Sequence, residues 1–150
     1  MTNFEHQNFL EKFDKEEGFT KIAFIILGGV FSEGIEMTNS DLSGVVVIGV
    51  GLSQINEENN LIKQYYDENG LDGFDYAYIN PGINRVMQAV GRLIRNENHR
   101  GMVLLIDNRY LRSPYRKLFN GYWSNFEIIN EEKEITQFST SFYKNNKKSL

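Results

Sequence analysis

Residues 88–95 (QAVGRLIR) combine side chains that can bind phosphate with a spacing that suits a helix. At about 100° per residue, Gln88, Arg92 and Arg95 lie within about 60° of one another around a helix axis, and Arg85 is near the same stripe. Guanidinium groups on a packed helix can stabilise a phosphate whose charge grows in a transition state, which is the role of an arginine finger. A solvated helix face has the same spacing, so periodicity alone leaves both interpretations open.

The arginines are concentrated in one part of an acidic chain. The net charge is −4, a sign that does not attract DNA to the whole molecule. All seven arginines nevertheless lie between residues 85 and 116, where Glu97 and Asp107 are the only acidic residues. Arginine suits planar, bidentate recognition of phosphate and carboxylate. The cluster therefore indicates a binding site, with pairing to carboxylates on a neighbouring surface as the alternative.

A second segment that could bind a ligand is residues 28–36 (GGVFSEGIE), which follow an apolar run. Ligands of open α/β sheets gather at the carboxyl ends of strands, and glycine-rich loops there let backbone N–H groups reach a phosphate or sugar. Ser32, Glu33 and Glu36 offer polar contacts. An ordinary strand-to-helix turn is the alternative.

The elements that must position these segments follow from apolar patterning. Residues 21–27 (KIAFIIL), 45–50 (VVVIGV) and 102–106 (MVLLI) are short apolar runs that predict buried strands. Periodicity predicts an amphipathic helix over 3–17, a polar surface helix over 56–69 and a helix from Ile83 to Arg95. After the third apolar run, residues 108–117 are predicted to form a basic loop and short helix. Buried strands that alternate with helices predict an α/β fold with a parallel sheet flanked by helices.

Several kinds of site are absent from the sequence. The chain has no cysteine, which excludes disulfides, a cysteine nucleophile and an iron–sulfur cluster within it. It has no phosphate loop of the form G-x-x-x-x-G-K-[ST] and no Asp-Glu pair at the end of an apolar strand. His6 and His99 fit no metal motif, and Gln54 stands where a dinucleotide fingerprint beginning at Gly49 needs its third glycine. No apolar run approaches the roughly 20 residues of a membrane-spanning helix.

Together, the two segments resemble motifs V and VI of the second helicase domain of XPD/DinG-type, Rad3-related superfamily 2 DNA helicases. GGVFSEGIE is similar to motif V and QAVGRLIRNENHRG to motif VI. The intervening DLSGVVVIGVGLSQ, the lead-in YINPGINRVMQ and the following LLIDNRYL also fit, so the resemblance covers roughly residues 4–123. It implies a RecA-like fold and an incomplete second motor domain, and we place that domain at residues 1–126, followed by a polar tail at 127–150.

The resemblance also implies roles for individual residues. Arg92 and Arg95 correspond to the motif VI arginines that face the γ-phosphate of ATP, and Gln88 to the polar residue that helps to place the water or the arginines. Ser32 and Glu33 would couple the site to single-stranded DNA, while Gly34 and Glu36 would lie at the nucleotide interface. Family members usually carry aspartate at the position of Glu36, so its longer side chain moves the carboxylate.

The same resemblance implies that ATP and Mg²⁺ are bound mainly by a separate N-terminal phosphate-loop domain of the same protein. The chain alone is then expected to be inactive as an ATP hydrolase, and its partners are that domain and single-stranded DNA. We expect a cytoplasmic protein without a membrane anchor. The alternative functions are a non-catalytic nucleic-acid-binding or regulatory module of the same fold, and a small nucleotide-binding enzyme, which would need a phosphate loop that the sequence lacks.

Overall fold

The structure, a computed structural model, describes residues 8–9, 11–13, 18–29, 42–93, 99–119, 123 and 126–146. The described elements are β1 (Gly44–Ile48), α1 (Glu57–Glu68), a π-helical turn (Asp75–Ile79), α2 (Asn80–Gly91), β2 (Met102–Ile106), a 3₁₀ turn (Asn108–Leu111), α3 (Tyr115–Phe119) and α4 (Glu132–Asn146). Strands thus alternate with helices along the chain, as the apolar pattern predicts.

The two strands pair in parallel, in a register that runs from Gly44 opposite Met102 to Ile48 opposite Ile106. A parallel pair requires a crossover connection, and α1 and α2 lie within it. This small parallel sheet with flanking helices confirms the α/β class and is consistent with part of a RecA-like domain.

The predicted strand at residues 21–27 is wrong for the described structure. Residues 21–26 adopt no regular secondary structure, and Phe24 and Ile26 are 92% and 83% exposed. An apolar run indicates that a segment favours burial, but a strand also needs a neighbour for its backbone N–H and C=O groups. Burial of β1 is likewise one-sided, since Val47 is buried while Val46 and Ile48 are exposed.

Helix α2 supplies the centre of the hydrophobic core. Ile83, Val86 and Val90 recur at the spacing of one helix face and are 4%, 0% and 6% exposed, as the periodicity predicts. They pack with side chains from β1 and from the segment that follows β2, namely Val47, Val50, Tyr110, Tyr115 and Phe119. The described helix ends at Gly91, and the predicted continuation reaches Arg95, which lies outside the described residues.

A π-helical turn leads into α2. The Asn80 N–H bonds to the Asp75 carbonyl five residues earlier, and Pro81 follows directly. Proline has no N–H, and its ring clashes with a carbonyl four residues earlier in a regular α-helix. The wider turn accommodates Pro81 at the start of α2, where a missing N–H costs least.

The remaining helices include predicted and unpredicted elements. Helix α1 confirms the predicted surface helix: the Asn56 side chain caps its first turn, and no residue in it is buried. Residues 8–9 and 11–13, the described part of the predicted helix at 3–17, are helical. The polar pattern of residues 127–150 predicts no element, yet α4 lies there. The Tyr143 hydroxyl of α4 donates a hydrogen bond to the Ser43 carbonyl beside β1.

The carboxyl ends of the two strands are tied together at Gly49. Its N–H donates to the Ile106 carbonyl over 3.1 Å, and its carbonyl accepts a hydrogen bond from the Tyr110 hydroxyl over 2.5 Å. Burial, with a smaller contribution from Asp107, holds the pKa of the Tyr110 hydroxyl well above its ordinary value of 10.0. The neutral, donating form of Tyr110 is therefore the form that the fold stabilises.

Two glycines in α2 predict opposite effects of one substitution. A Cβ added at Gly82 would lie 2.8 Å from the Val50 carbonyl oxygen, whereas one added at Gly91 would meet no atom within 4 Å. We expect Gly82→Ala to lower the free energy of unfolding by about 1–3 kcal/mol through overpacking. Gly91→Ala should raise it by up to about 1 kcal/mol, because alanine loses less backbone entropy in a helix. Urea unfolding of both variants measures the difference, and equal effects would contradict the close packing of α2.

The Tyr110 contact predicts a stability difference that depends on pH. At pH 7, Tyr110→Phe should cost about 1–2 kcal/mol, because the partly buried Gly49 carbonyl loses its donor. The folded pKa is raised, so this stabilisation is complete below pH 10 and is lost as the pH rises and the unfolded state ionises. The advantage of the wild type should then shrink by about 1.4 kcal/mol per pH unit above 10. Urea unfolding from pH 7 to 11 tests this, and a difference that stays constant above pH 10 would refute it. The control Tyr65→Phe, at a 63% exposed side chain, should cost less than about 0.5 kcal/mol at pH 7.

Candidate functional site

Gln88 and Arg92 lie one turn apart near the C-terminal end of α2. Gln88 is exposed and Arg92 is partly exposed, while Val86 and Val90 between and beside them face the core. The backbone N–H of Arg92 bonds to the carbonyls of Ala89 and Val90, which ends the helix in a tight turn. The next residue, Leu93, is 2% exposed, so buried side chains on both sides fix the backbone at Arg92. The structure thus brings together two of the three residues expected from motif VI.

Five of the predicted site residues lie outside the described part of the chain: Ser32, Glu33, Gly34, Glu36 and Arg95. The structure does describe where the motif V segment begins. A Cβ added at Gly51 would lie 2.8 Å from Leu27 Cδ2, so Leu27 and Gly28 lie beside the loop that follows β1. The segment that carries Ser32 and Glu33 therefore starts at the carboxyl end of β1.

Arg85, one turn before Gln88, is partly exposed and makes its hydrogen bonds within the chain. Its Nη1 donates to the Gly51 carbonyl over 3.2 Å and to Ser53 Oγ over 2.6 Å. Arg85 and Arg92 lie on the same side of the helix, seven residues and so roughly 10 Å apart along its axis. The loop that follows β1 folds over the N-terminal half of α2, where it meets Arg85.

The described start of residues 28–36 lies near the N-terminal half of α2, and Arg92 follows its C-terminal end. Gly82, in its first turn, contacts Val50 and Gly51 at the carboxyl end of β1. Leu93, just beyond its last turn, packs against Gly101 before β2 begins. Ten residues of helix separate Gly82 from Arg92, a distance of about 15 Å.

The basic residues after β2 divide into engaged and exposed groups. Arg109 binds the Asp107 carboxylate through Nε and Nη2 over 2.9 and 2.7 Å, and the pKa of Asp107 is lowered mainly by this hydrogen bonding. The Arg116 guanidinium lies 4.0 Å from the centre of the Phe126 ring. Arg112 and Lys117 are exposed. Arg109 and Arg116 thus have partners within the chain.

The described residues offer donors for phosphate but no metal site. Gln88 and Arg92 provide N–H groups suited to phosphate oxygens. Within the described ranges, no group of three or more His, Asp or Glu side chains could hold a metal ion. No helix among those residues is long and apolar enough to cross a membrane. The chemistry that Gln88 and Arg92 can supply is therefore hydrogen-bond donation.

Comparison with known proteins finds one matching family model and several similar sequences. The model of the helicase C-terminal domain family matches residues 2–126. The chain is 30% identical over 145 residues to the 3'-5' exonuclease DinG of Staphylococcus saprophyticus. The aligned region covers 93% of this chain and 15% of that protein. It is 29% identical over 154 aligned positions to the ATP-dependent DNA helicase chl1 of Schizosaccharomyces pombe, covering 95% of this chain and 18% of that protein.

A third relative is the regulator of telomere elongation helicase 1 homolog of Aedes aegypti, 26% identical over 108 residues, or 68% of this chain and 11% of that protein. The chain thus spans less than a fifth of the length of these curated relatives. No solved structure matches it. The family match extends over both motif segments and over α2 with Gln88 and Arg92, and on this basis the chain belongs to the helicase C-terminal domain family, within the Rad3-related, XPD/DinG-type helicases of superfamily 2.

Proposed function

We propose that this chain is the C-terminal part of the second motor domain of an ATP-dependent DNA helicase. Arg92 and Arg95 contact the γ-phosphate of ATP held by a separate phosphate-loop domain, and Gln88 places the water or the arginines. The observation that carries this proposal is the position of Gln88 and Arg92, one turn apart on the side of α2 that faces away from Val86 and Val90.

The packing of α2 suits Arg92 to electrostatic catalysis. Val90 and Leu93 bury 94% and 98% of their surface, so the backbone that carries Arg92 is fixed before any ligand arrives. A cation held in advance beside developing phosphate charge stabilises the transition state without having to reorganise. Arginines in this role contribute roughly 10³ to 10⁵ in rate.

ATP and Mg²⁺ would be held mainly by the partner domain. The sequence contains no phosphate loop, and the described residues contain no cluster of metal ligands. The second domain then contributes by closing on the bound nucleotide, and the isolated chain is expected to be inactive. Mg²⁺ would supply charge neutralisation for the phosphates, and Arg92 would supply N–H donors.

Coupling to DNA is assigned to the motif V segment. Ser32 and Glu33 would link the nucleotide interface, with Gly34 and Glu36, to a bound single strand. Arg112 and Lys117 are exposed cations after β2 that are available for contact with backbone phosphates. Binding through phosphates is sequence-tolerant and weakens as salt rises. Cycles of closure on ATP and release after hydrolysis would move the strand in one direction.

ATP hydrolysis, measured with and without single-stranded DNA, tests the proposal. The samples are this chain, the phosphate-loop domain of its parent, and the two joined. We expect DNA-stimulated hydrolysis from the joined protein alone. Arg92→Ala should lower its kcat about a thousandfold while ATP binding survives, because the lost donors act mainly on the transition state. Arg92→Lys should recover only part of the rate, since an ammonium lacks the planar fork.

Lys133→Gln, which removes an exposed cation on α4, is the matched control and should leave the rate unchanged. Hydrolysis by this chain alone would contradict the proposal. A joined protein indifferent to Arg92→Ala would contradict the role of motif VI. Binding of single-stranded DNA by this chain, with no contribution of Arg92 to any hydrolysis, would favour a non-catalytic nucleic-acid-binding module.

A further inference from the structure

Arg85 lies where three separate segments meet. It belongs to the N-terminal half of α2, and its Nη1 donates to the Gly51 carbonyl and to Ser53 Oγ in the loop that follows β1. On its other side lies Gly28: a Cβ added there would be 3.0 Å from both Cδ and Nε of Arg85. One half-buried side chain of α2 therefore contacts both the loop after β1 and the start of residues 28–36.

The two glycines around Arg85 adopt conformations that other residues rarely take. Gly28 has φ +80° and Gly51 has φ +69°, both in the left-handed region. Each turn brings backbone against the arginine, and Leu27 packs on Gly51 between them. The guanidinium thus fills the space that two glycine turns leave open. A shorter side chain would leave the Gly51 carbonyl without its donor and Gly28 without its support.

We propose that Arg85 is a positioning residue, which fixes the beginning of the Gly28–Glu36 segment to the helix that carries Gln88 and Arg92. Val86 and Val90 anchor this helix in the core, so it is a rigid element between the two ends. Arg85 holds one end of it to Gly28 and Gly51, and Arg92 projects about two turns further on. Gly28, at the start of the segment that would contact DNA, is thereby linked through one helix to Arg92, which would contact ATP. This consequence for coupling rests on the function proposed above, whereas the contacts of Arg85 do not.

Hydrogen exchange of this chain, followed by mass spectrometry, tests the positioning directly. We expect Arg85→Gln to accelerate amide exchange about fivefold in residues 21–29 and 51–56, because both segments lose an anchor, with little change in β2. Arg85→Lys should have a smaller effect, since it keeps the charge and one donor. Lys133→Gln is the control for loss of a cation and should change neither segment. Unchanged exchange in both segments of Arg85→Gln would overturn the proposal.

A variant that unfolds as a whole would accelerate exchange in β2 as well. In that case Ser53→Ala is the variant to measure, because it removes only the 2.6 Å hydrogen bond between Arg85 Nη1 and Ser53 Oγ. It should accelerate exchange in residues 51–56 while β2 stays protected. Protection of residues 51–56 equal to that of the wild type would overturn the proposal.

The joined protein tests the consequence for coupling. Arg85→Gln should lower the ratio of ATP hydrolysis rates with and without single-stranded DNA at least about threefold, with the KM for ATP unchanged. Arg92→Ala should instead lower both rates together. An unchanged ratio would refute the role of Arg85 in coupling. If the wild-type joined protein shows no stimulation by DNA, the proposed function fails, and hydrogen exchange still decides whether Arg85 positions these segments.

Discussion

The close contact between the start of α2 and the end of β1 is the constraint on which the rest of the structure depends. Gly82 has no side chain, so the backbone of α2 reaches the Val50 carbonyl and Gly51. Any Cβ at this position would push the helix away from the strand. With the contact made, Ile83, Val86 and Val90 pack against β1 and the residues after β2, and the direction of α2 is set. The outward direction of Gln88 follows from that packing.

The same helix carries different chemistry at its two ends. Near its start, Arg85 uses its hydrogen bonds within the chain, at the Gly51 carbonyl and Ser53. Near its end, Gln88 is exposed and Arg92 is partly exposed. Residue type does not distinguish Arg85 from Arg92, and nor does angular position. The hydrogen bonds of Arg85 come from the loop after β1, which lies over the first turns of the helix.

The sheet leaves apolar surface uncovered. Val46 and Ile48 on β1 are 59% and 78% exposed, and Ile106, which pairs with Ile48, is 47% exposed. Parallel sheets in α/β proteins usually have helices on both faces, and a large exposed apolar patch marks a surface that another element covers. In the described residues, α2 covers one face of β1 and no element covers the other. Residues 21–26, also apolar and exposed, show that strong hydrophobicity does not create a strand without a pairing partner.

The sequence by itself determined the local elements and the family. The helical period predicted the buried face of α2, the polar pattern predicted α1, and two of three apolar runs became β1 and β2. These features depend on residues close together in the chain, and motif spacing identified the family for the same reason. The tertiary structure alone decided three other features: whether residues 21–27 form a strand, where Arg85 makes its hydrogen bonds, and how α4 reaches Ser43. Each depends on a partner more than ten residues away in sequence, and local periodicity carries no information about which distant backbone group will be near enough to bond.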